Sequence, residues 1–194
     1  MKVYYGTSNP VLSQKIITLL QEYYDDTTES KFSGIQPETL SIEKFSDGEI
    51  LPRFLESIRE EDIFFIQTTN SSDAIIETLL IIDAAKRAGA KSFTLIAPFQ
   101  GYSRQDKTDH IRSSIGSKML SDILEATGMT RLITIDLHAS SIQGFYNTPV
   151  IHLNGNKIFI DYIKENKIED MTLLAPDQGA VKRIGDFAKA FPDA

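Results

Sequence analysis

The chain has no cysteine. Disulfides and thiolate metal sites are therefore excluded, and nothing in the composition asks for an oxidising compartment. Positive charge is in short supply: 20 Lys and Arg stand against 27 Asp and Glu, for a net charge of −7. Broad nucleic-acid binding needs a basic face and is excluded. An acidic chain can still hold phosphates, but only through local cations or a divalent metal. Long hydrophobic runs are missing too. The longest, around Ile75–Ala85, is broken by Glu77, Thr78 and Asp83 and is too short to span a bilayer. The opening residues, MKVYYGTSNP, lack the apolar core of a signal peptide. A cytoplasmic protein without a membrane partner is expected. There is no G-x-x-x-x-G-K-S/T loop, no G-x-G-x-x-G and no G-x-S-x-G, so the common ATPase, dinucleotide and hydrolase readings have no support. Internal repeats and low-complexity linkers are also lacking.

What is present is ordinary globular composition, 41% hydrophobic and 24% charged over 194 residues. That length suffices for one domain with a full core, or one domain and part of a second. Apolar periodicity alternates between strand-like and helix-like segments. Strands are expected at Lys2–Tyr5, Ile63–Gln67, Phe93–Ala97, Leu132–Ile135 and Met171–Ala175. Thr39–Phe45 and Ile50–Leu55 flank Ser46-Asp47-Gly48-Glu49 as a hairpin. Residues 25–37 are turn-rich. Pro10 suits the first turn of a helix reaching Tyr23, capped by Ser8 or Asn9. Ser71 or Ser72 caps a helix to Ala88, stopped by Gly89. Ser113 or Ser114 caps one ending at Gly128, Asn154 opens one to about Asn166, and a last one follows Gly179. The alternation predicts an α/β fold, a mostly parallel sheet with helices on both faces. The ending Pro192-Asp193-Ala194 stands where another strand is expected, so the chain reads as incompletely represented.

Ligands of open α/β sheets bind where loops leave the carboxyl ends of strands. Three such loops carry chemistry. In Gly101–Lys107, Arg104 is a planar fork for phosphate oxygens, Lys107 a point charge, and Gln105 a partner for a base or ribose. A solvated charged loop is the equally available reading, although a dozen residues without structure of their own lean towards function. In Asp136-Leu137-His138, strand alternation would point Asp136 and His138 the same way. His138 is then a metal or phosphate contact, or a structural histidine. In Ala175-Pro176-Asp177-Gln178-Gly179, Asp177 is an N-cap or a Mg²⁺ ligand. A fourth stretch, Phe45-Ser46-Asp47-Gly48-Glu49, reads from spacing as a plain hairpin turn, with adenine or ribose recognition as the sharper option.

Together these segments resemble ribose-phosphate diphosphokinase, also called phosphoribosyl-pyrophosphate synthetase. FSDGEI at Phe45–Ile50 matches that family's string. GYSRQD at Gly101–Asp106 is similar to its GYARQD. Asp136–Ala139 and Ile142–Phe145 resemble DLHA and IQGFF, and Ala175–Arg183 resembles SPDxGGxKR. The resemblance implies phosphoribosyltransferase-like domains, the first over residues 1–149 and a second only begun over 150–194. It implies transfer of the diphosphoryl group of MgATP to ribose 5-phosphate, giving phosphoribosyl diphosphate and AMP. By position, Phe45, Asp47, Gly48, Glu49, Arg104, Gln105, Asp106 and Lys107 would serve ATP, with Asp47 and Glu49 of the hairpin reading the adenine of a neighbouring subunit's nucleotide. His138 and Asp177 would hold Mg²⁺. Arg112 and Ser113 would form a regulatory phosphate or nucleotide site. Dimers or hexamers, with ADP and phosphate as effectors, are implied as well. The catalytic lysine and arginine loop is expected beyond Ala194, so no catalytic residue is assigned here and these 194 residues alone are expected to be inactive.

The chain departs from the family where FFDIPVD becomes Phe145-Tyr146-Asn147-Thr148-Pro149-Val150-Ile151. Two carboxylates are replaced, by Asn147 and Ile151. Ala180 stands in for a glycine, and Ser114 for a proline. These changes motivate an alternative, a non-catalytic regulatory subunit of the same family. A phosphoribosyltransferase proper is a third reading, opposed by the FSDGE and RQD strings.

Overall fold

The computed structural model describes residues 1–25, 40–108, 110–175 and 181–192. Asp177 and the other residues of 176–180 lie outside them, as does most of the turn-rich stretch at 25–37. The chain forms two compact units, Met1–Leu153 and Asn154–Ala194.

The first unit is built on a parallel sheet of β1 (Lys2–Tyr5), β4 (Asp62–Ile66), β5 (Ser92–Ala97), β6 (Arg131–Ile135) and β7 (Val150–Leu153), in the order β1-β4-β5-β6-β7. An antiparallel hairpin of β2 (Leu40–Lys44) and β3 (Ile50–Phe54) stands apart from it. The central strands DIFFI and SFTLIA are nearly continuous apolar runs because both of their faces are covered. On one face Ile63, Phe65, Phe93, Leu95 and Leu132 pack with Ile81 and Ile82 of α2 (Ser72–Arg87) and Leu120 and Leu124 of α3 (Gly116–Thr127). On the other, Val3 and Ile66 pack with Ile17 of α1 (Pro10–Asp25). Each such side chain contributes about 1.5–3 kcal/mol by leaving water. The α/β architecture expected from the periodicity is therefore present, with helices on both faces.

Local chemistry sets the helix ends. Ser71 accepts from the Ala74 amide at 3.2 Å, and Gly89, at φ 81°, turns the chain out of α2. Asn9 caps α1 by accepting from Leu12 at 3.2 Å, which frees Ser8 for another task.

Two expectations need correction and one strand is new. Neither Ser113 nor Ser114 caps α3: the cap position is Ile115, without a side-chain bond. Ser113 instead donates to the His110 carbonyl at 2.8 Å, and the Ser117 amide is satisfied by the Gln105 carbonyl at 3.1 Å. Met171–Ala175 forms no strand, because the described part of its unit offers no strand to pair with it. Finally, β7 was not anticipated, and its pairing with β6 carries the first unit to Leu153.

The second unit contains α4 (Asn156–Glu165) and α5 (Val181–Ala190). The Asn154 side chain receives the Asn156 amide at 2.8 Å, one residue before Gly155 at the cap position of α4. No described helix is long and apolar enough to cross a membrane.

Candidate functional site

The loops leaving β1, β4 and β5 at their carboxyl ends are joined by buried polar groups. Glu77, on α2 and 3% exposed, accepts from the Thr7 amide (2.8 Å), the Thr7 hydroxyl (2.5 Å) and Gln67 Nε2 (2.8 Å). Gln67 Oε1 accepts from the Ser8 amide and hydroxyl at 3.0 and 2.6 Å. Ser8 Oγ in turn accepts from the Thr68 amide at 2.9 Å. A buried carboxylate is tolerable here because each contact is a hydrogen-bond donor. Gly6 is required: an added Cβ would lie 2.4 Å from Glu77 Oε1. The next residue, Thr69, accepts from the Gly101 amide at 2.8 Å and donates its own amide to the Phe99 carbonyl at 3.1 Å. A Cβ on Gly101 would fall 2.0 Å from the Thr69 carbonyl oxygen, so only glycine allows this approach.

From Gly101 the loop turns sharply. Tyr102 adopts φ 58°, the Gln105 amide donates to the Tyr102 carbonyl at 2.9 Å, and Ser103 Oγ donates to the Gln100 carbonyl at 2.8 Å. Arg104, Gln105 and Lys107 are exposed and Asp106 is half-buried. Gly116, opening α3, lets Gln105 approach closely, for a Cβ there would meet Gln105 Oε1 at 2.6 Å.

Beside this loop is the turn after β6, since Ala97 and Thr134 are register partners. The strand stops at Ile135 and Asp136 takes φ 47°, so the strand alternation expected for Asp136 and His138 gives way to a turn. Both side chains are nonetheless exposed, with Leu137 buried between them. The Asp136 amide donates to the Leu153 carbonyl at 3.0 Å and the Leu137 amide to His152 Nε2 at 3.0 Å. Left-handed backbone at non-glycine residues is costly and concentrates at working sites. Here it recurs at Tyr102, Asp136 and, further along the first loop, Arg112 at φ 67°.

Phe45–Glu49 forms the tight turn that its spacing suggests. The Phe45 amide donates to the Glu49 carbonyl, Gly48 adopts φ 94°, and the Glu49 amide donates to Asp47 Oδ1 at 3.1 Å. All five residues are exposed. Arg112 and Ser113 are exposed on the loop that leads into α3.

No cluster of three or more His, Asp or Glu suited to a metal occurs among the described residues. Mg²⁺ takes few protein ligands and many phosphate and water oxygens, so an exposed His138 on a fixed turn beside a cationic loop is compatible with it.

Glu77, Gln67 and His152 belong to the site without standing in any of its charged strings. A carboxylate inside the apolar run Ile75–Ala85 was the available signal for Glu77. Asn147 stands where the family string has a carboxylate. Asn147 instead joins Thr148 in donating to Glu125: the two amides at 2.7 and 2.6 Å, Asn147 Nδ2 at 2.9 Å and Thr148 Oγ1 at 2.9 Å. Glu125 lies nine residues along α3 from Gly116, or about 14 Å, and so away from Gln105.

Residues 1–128 match the N-terminal domain of ribose phosphate pyrophosphokinase. A ribose-phosphate pyrophosphokinase of Porphyromonas gingivalis is 43% identical over 189 residues, which is 96% of this chain and 56% of that protein. One from Bacillus caldolyticus is 43% identical over 157 residues, 80% of this chain and 50% of its own. The crystal structure of phosphoribosylpyrophosphate synthetase from Mycobacterium smegmatis superposes with a TM-score of 0.86 at 32% identity, covering 97% of this chain and 60% of the other. The chain spans about half the length of the curated relatives it matches. With its phosphoribosyltransferase-like parallel sheet and these matches, the chain belongs to the ribose-phosphate pyrophosphokinase family.

Proposed function

We propose that the protein carrying this chain transfers the diphosphoryl group of ATP to the C1 hydroxyl of ribose 5-phosphate, and that residues 1–149 supply its nucleotide-binding domain. Residues 150–194 begin the second domain in this reading. The observation that carries it is the juxtaposition of two loops at neighbouring carboxyl ends, Gly101–Lys107 and Asp136–His138, both bent through left-handed residues. One presents cations, the other an imidazole.

Diphosphoryl transfer depends on positioning and charge neutralisation more than on covalent chemistry. Arg104 grips polyphosphate oxygens as a fork, Lys107 adds a point charge, and Gln105 with Asp106 orients the ribose side. Asp47 and Glu49 accept from the adenine amino group of a neighbouring subunit's nucleotide, with Gly48 shaping the turn and exposed Phe45 stacking. His138 and Asp177 would hold Mg²⁺, which would supply charge neutralisation of the polyphosphate. Arg112 and Ser113 bind phosphate or ADP as effectors, in a cytoplasmic dimer or hexamer. The catalytic lysine loop and the sugar-phosphate loop are not among these residues, so the 194 residues alone do not turn over.

The test is formation of AMP and phosphoribosyl diphosphate from ATP and ribose 5-phosphate with Mg²⁺ by the intact protein. ATP binding without product would favour the regulatory-subunit reading. That reading draws on Ile151 and Ala180, but less on Asn147, whose side chain serves Glu125.

A further inference from the structure

The turn carrying His138 is held from the side by β7, the strand the sequence reading missed. Two bonds do this. One, from the Asp136 amide to the Leu153 carbonyl, is backbone to backbone and is open to any residue at 153. The other, from the Leu137 amide to His152 Nε2 at 3.0 Å, exists only because residue 152 carries a ring nitrogen at that point. His152 is half-buried and in register with Thr134, so its ring sits beneath the turn. Because Nε2 accepts, the ring proton resides on Nδ1. That edge faces the Gln143 amide at 3.5 Å, and Gln143 is itself fixed by donating to the Ser140 carbonyl at 3.0 Å. With Nδ1–H and Gln143 Nε2 both donors, that edge carries no hydrogen bond, and the ring is held at Nε2 alone. A histidine serving merely as strand filler would not need its lone pair aimed at an amide in the neighbouring turn.

We propose that His152 is a positioning residue for His138. By accepting the Leu137 amide it fixes the left-handed turn at Asp136 and so the direction in which the His138 imidazole is presented. The proposal rests on the reading in which His138 meets the metal-bound nucleotide. Groups that orient a metal-contacting residue typically cost about 10–100-fold in affinity when removed.

The experiment compares variants of the intact protein by MgATP binding in calorimetry, by ATP binding without metal, and by hydrogen exchange at the Leu137 amide. His152→Phe keeps the ring volume and removes the acceptor. It is expected to weaken MgATP binding about 10-fold, to leave metal-free ATP binding unchanged, and to speed Leu137 exchange. His152→Asn retracts the acceptor and carries the same expectation if the phenylalanine variant fails to fold. His152→Gln, whose amide reaches where Nε2 stood, should restore both readouts. In the double variant with His138→Ala, His152→Phe should add no further loss. If His138→Ala weakens MgATP binding while His152→Phe and His152→Asn leave binding and exchange as in the wild type, the positioning role is overturned. If Gln fails to rescue, the ring acts by packing and the proposal is equally overturned. If His138→Ala itself has no effect on MgATP binding, the metal reading of His138 falls. Unchanged Leu137 exchange in His152→Phe would then show separately that the turn does not depend on His152.

Discussion

Two side chains show how a departure from a family string can be structural. Asn147 stands where a carboxylate is usual, and Glu125 receives four donations from Asn147 and Thr148. Partial burial alone would raise the Glu125 carboxyl, but these donations outweigh it and hold it below the ordinary glutamate range. A lowered folded-state pKa stabilises above the unfolded value and is lost as pH falls through the folded one. Glu125→Gln should therefore be less stable than the wild type at neutral pH, and the gap in urea midpoints should close as pH falls below about 4.3. Asn147→Asp, which sets a second carboxylate against Glu125, should cost about 1–2 kcal/mol at pH 7. Tyr146 makes a second case. Its buried hydroxyl, pushed well above the ordinary tyrosine range by burial, accepts from Gln100 Nε2, while Gln100 Oε1 has no partner. Either orientation of that amide leaves one of its ends unpaired, so Tyr146→Phe would leave both. The expected loss is about 1–3 kcal/mol in denaturant unfolding, without a change in m.

At the scale of elements, the loop after β5 depends on backbone proximity more than on side chains. Gly101→Ala puts a methyl group onto the Thr69 carbonyl, with no flexible atom to yield. The loop must shift, and Arg104 with it. ATP affinity should fall about 10-fold or more, as misplacement by about an ångström commonly costs 10²-fold in function, while far-ultraviolet circular dichroism keeps the α/β signature. Most of this level was legible in the sequence. Six of the seven strands and both caps read from Ser71 and Asn9 have plain local signals, and the hairpin was announced by Asp47-Gly48. What was not legible depended on neighbours. Val150–Leu153 is four residues long behind a Thr-Pro turn, and becomes a strand by adding to β6. Met171–Ala175 has the right composition but, among the described residues, no strand to pair with. Serines 113 and 114 look like caps, but the Gln105 carbonyl takes the Ser117 amide at the start of α3. The candidate loops were visible as strings of charged residues, whereas their fixing by Glu77, Gln67 and His152 spans separations that no local pattern encodes.

For the molecule as a whole, the two units differ in kind. The first has a complete parallel sheet, with cores on two faces containing Ile63, Phe65, Leu95 and Leu132 on one side and Ile17 and Ile66 on the other. The second, among its described residues, buries only Gly155, and none of the side chains of α4 is buried. Ile158, Phe159 and Tyr162 are each more than half exposed, which is unusual for an amphipathic helix in a finished core. Stability should therefore reside in residues 1–153. A protein truncated after Leu153 should unfold in a single cooperative transition, with a midpoint close to that of the 194-residue chain. A peptide of residues 154–194 should be largely unstructured in water, since isolated ten-residue helices are marginal. Circular dichroism of both pieces, with urea melts of the longer one, decides the matter. A well-folded 154–194 peptide, or a 1–153 protein that loses cooperativity, would show that the stabilising contacts are distributed otherwise than the burial pattern indicates.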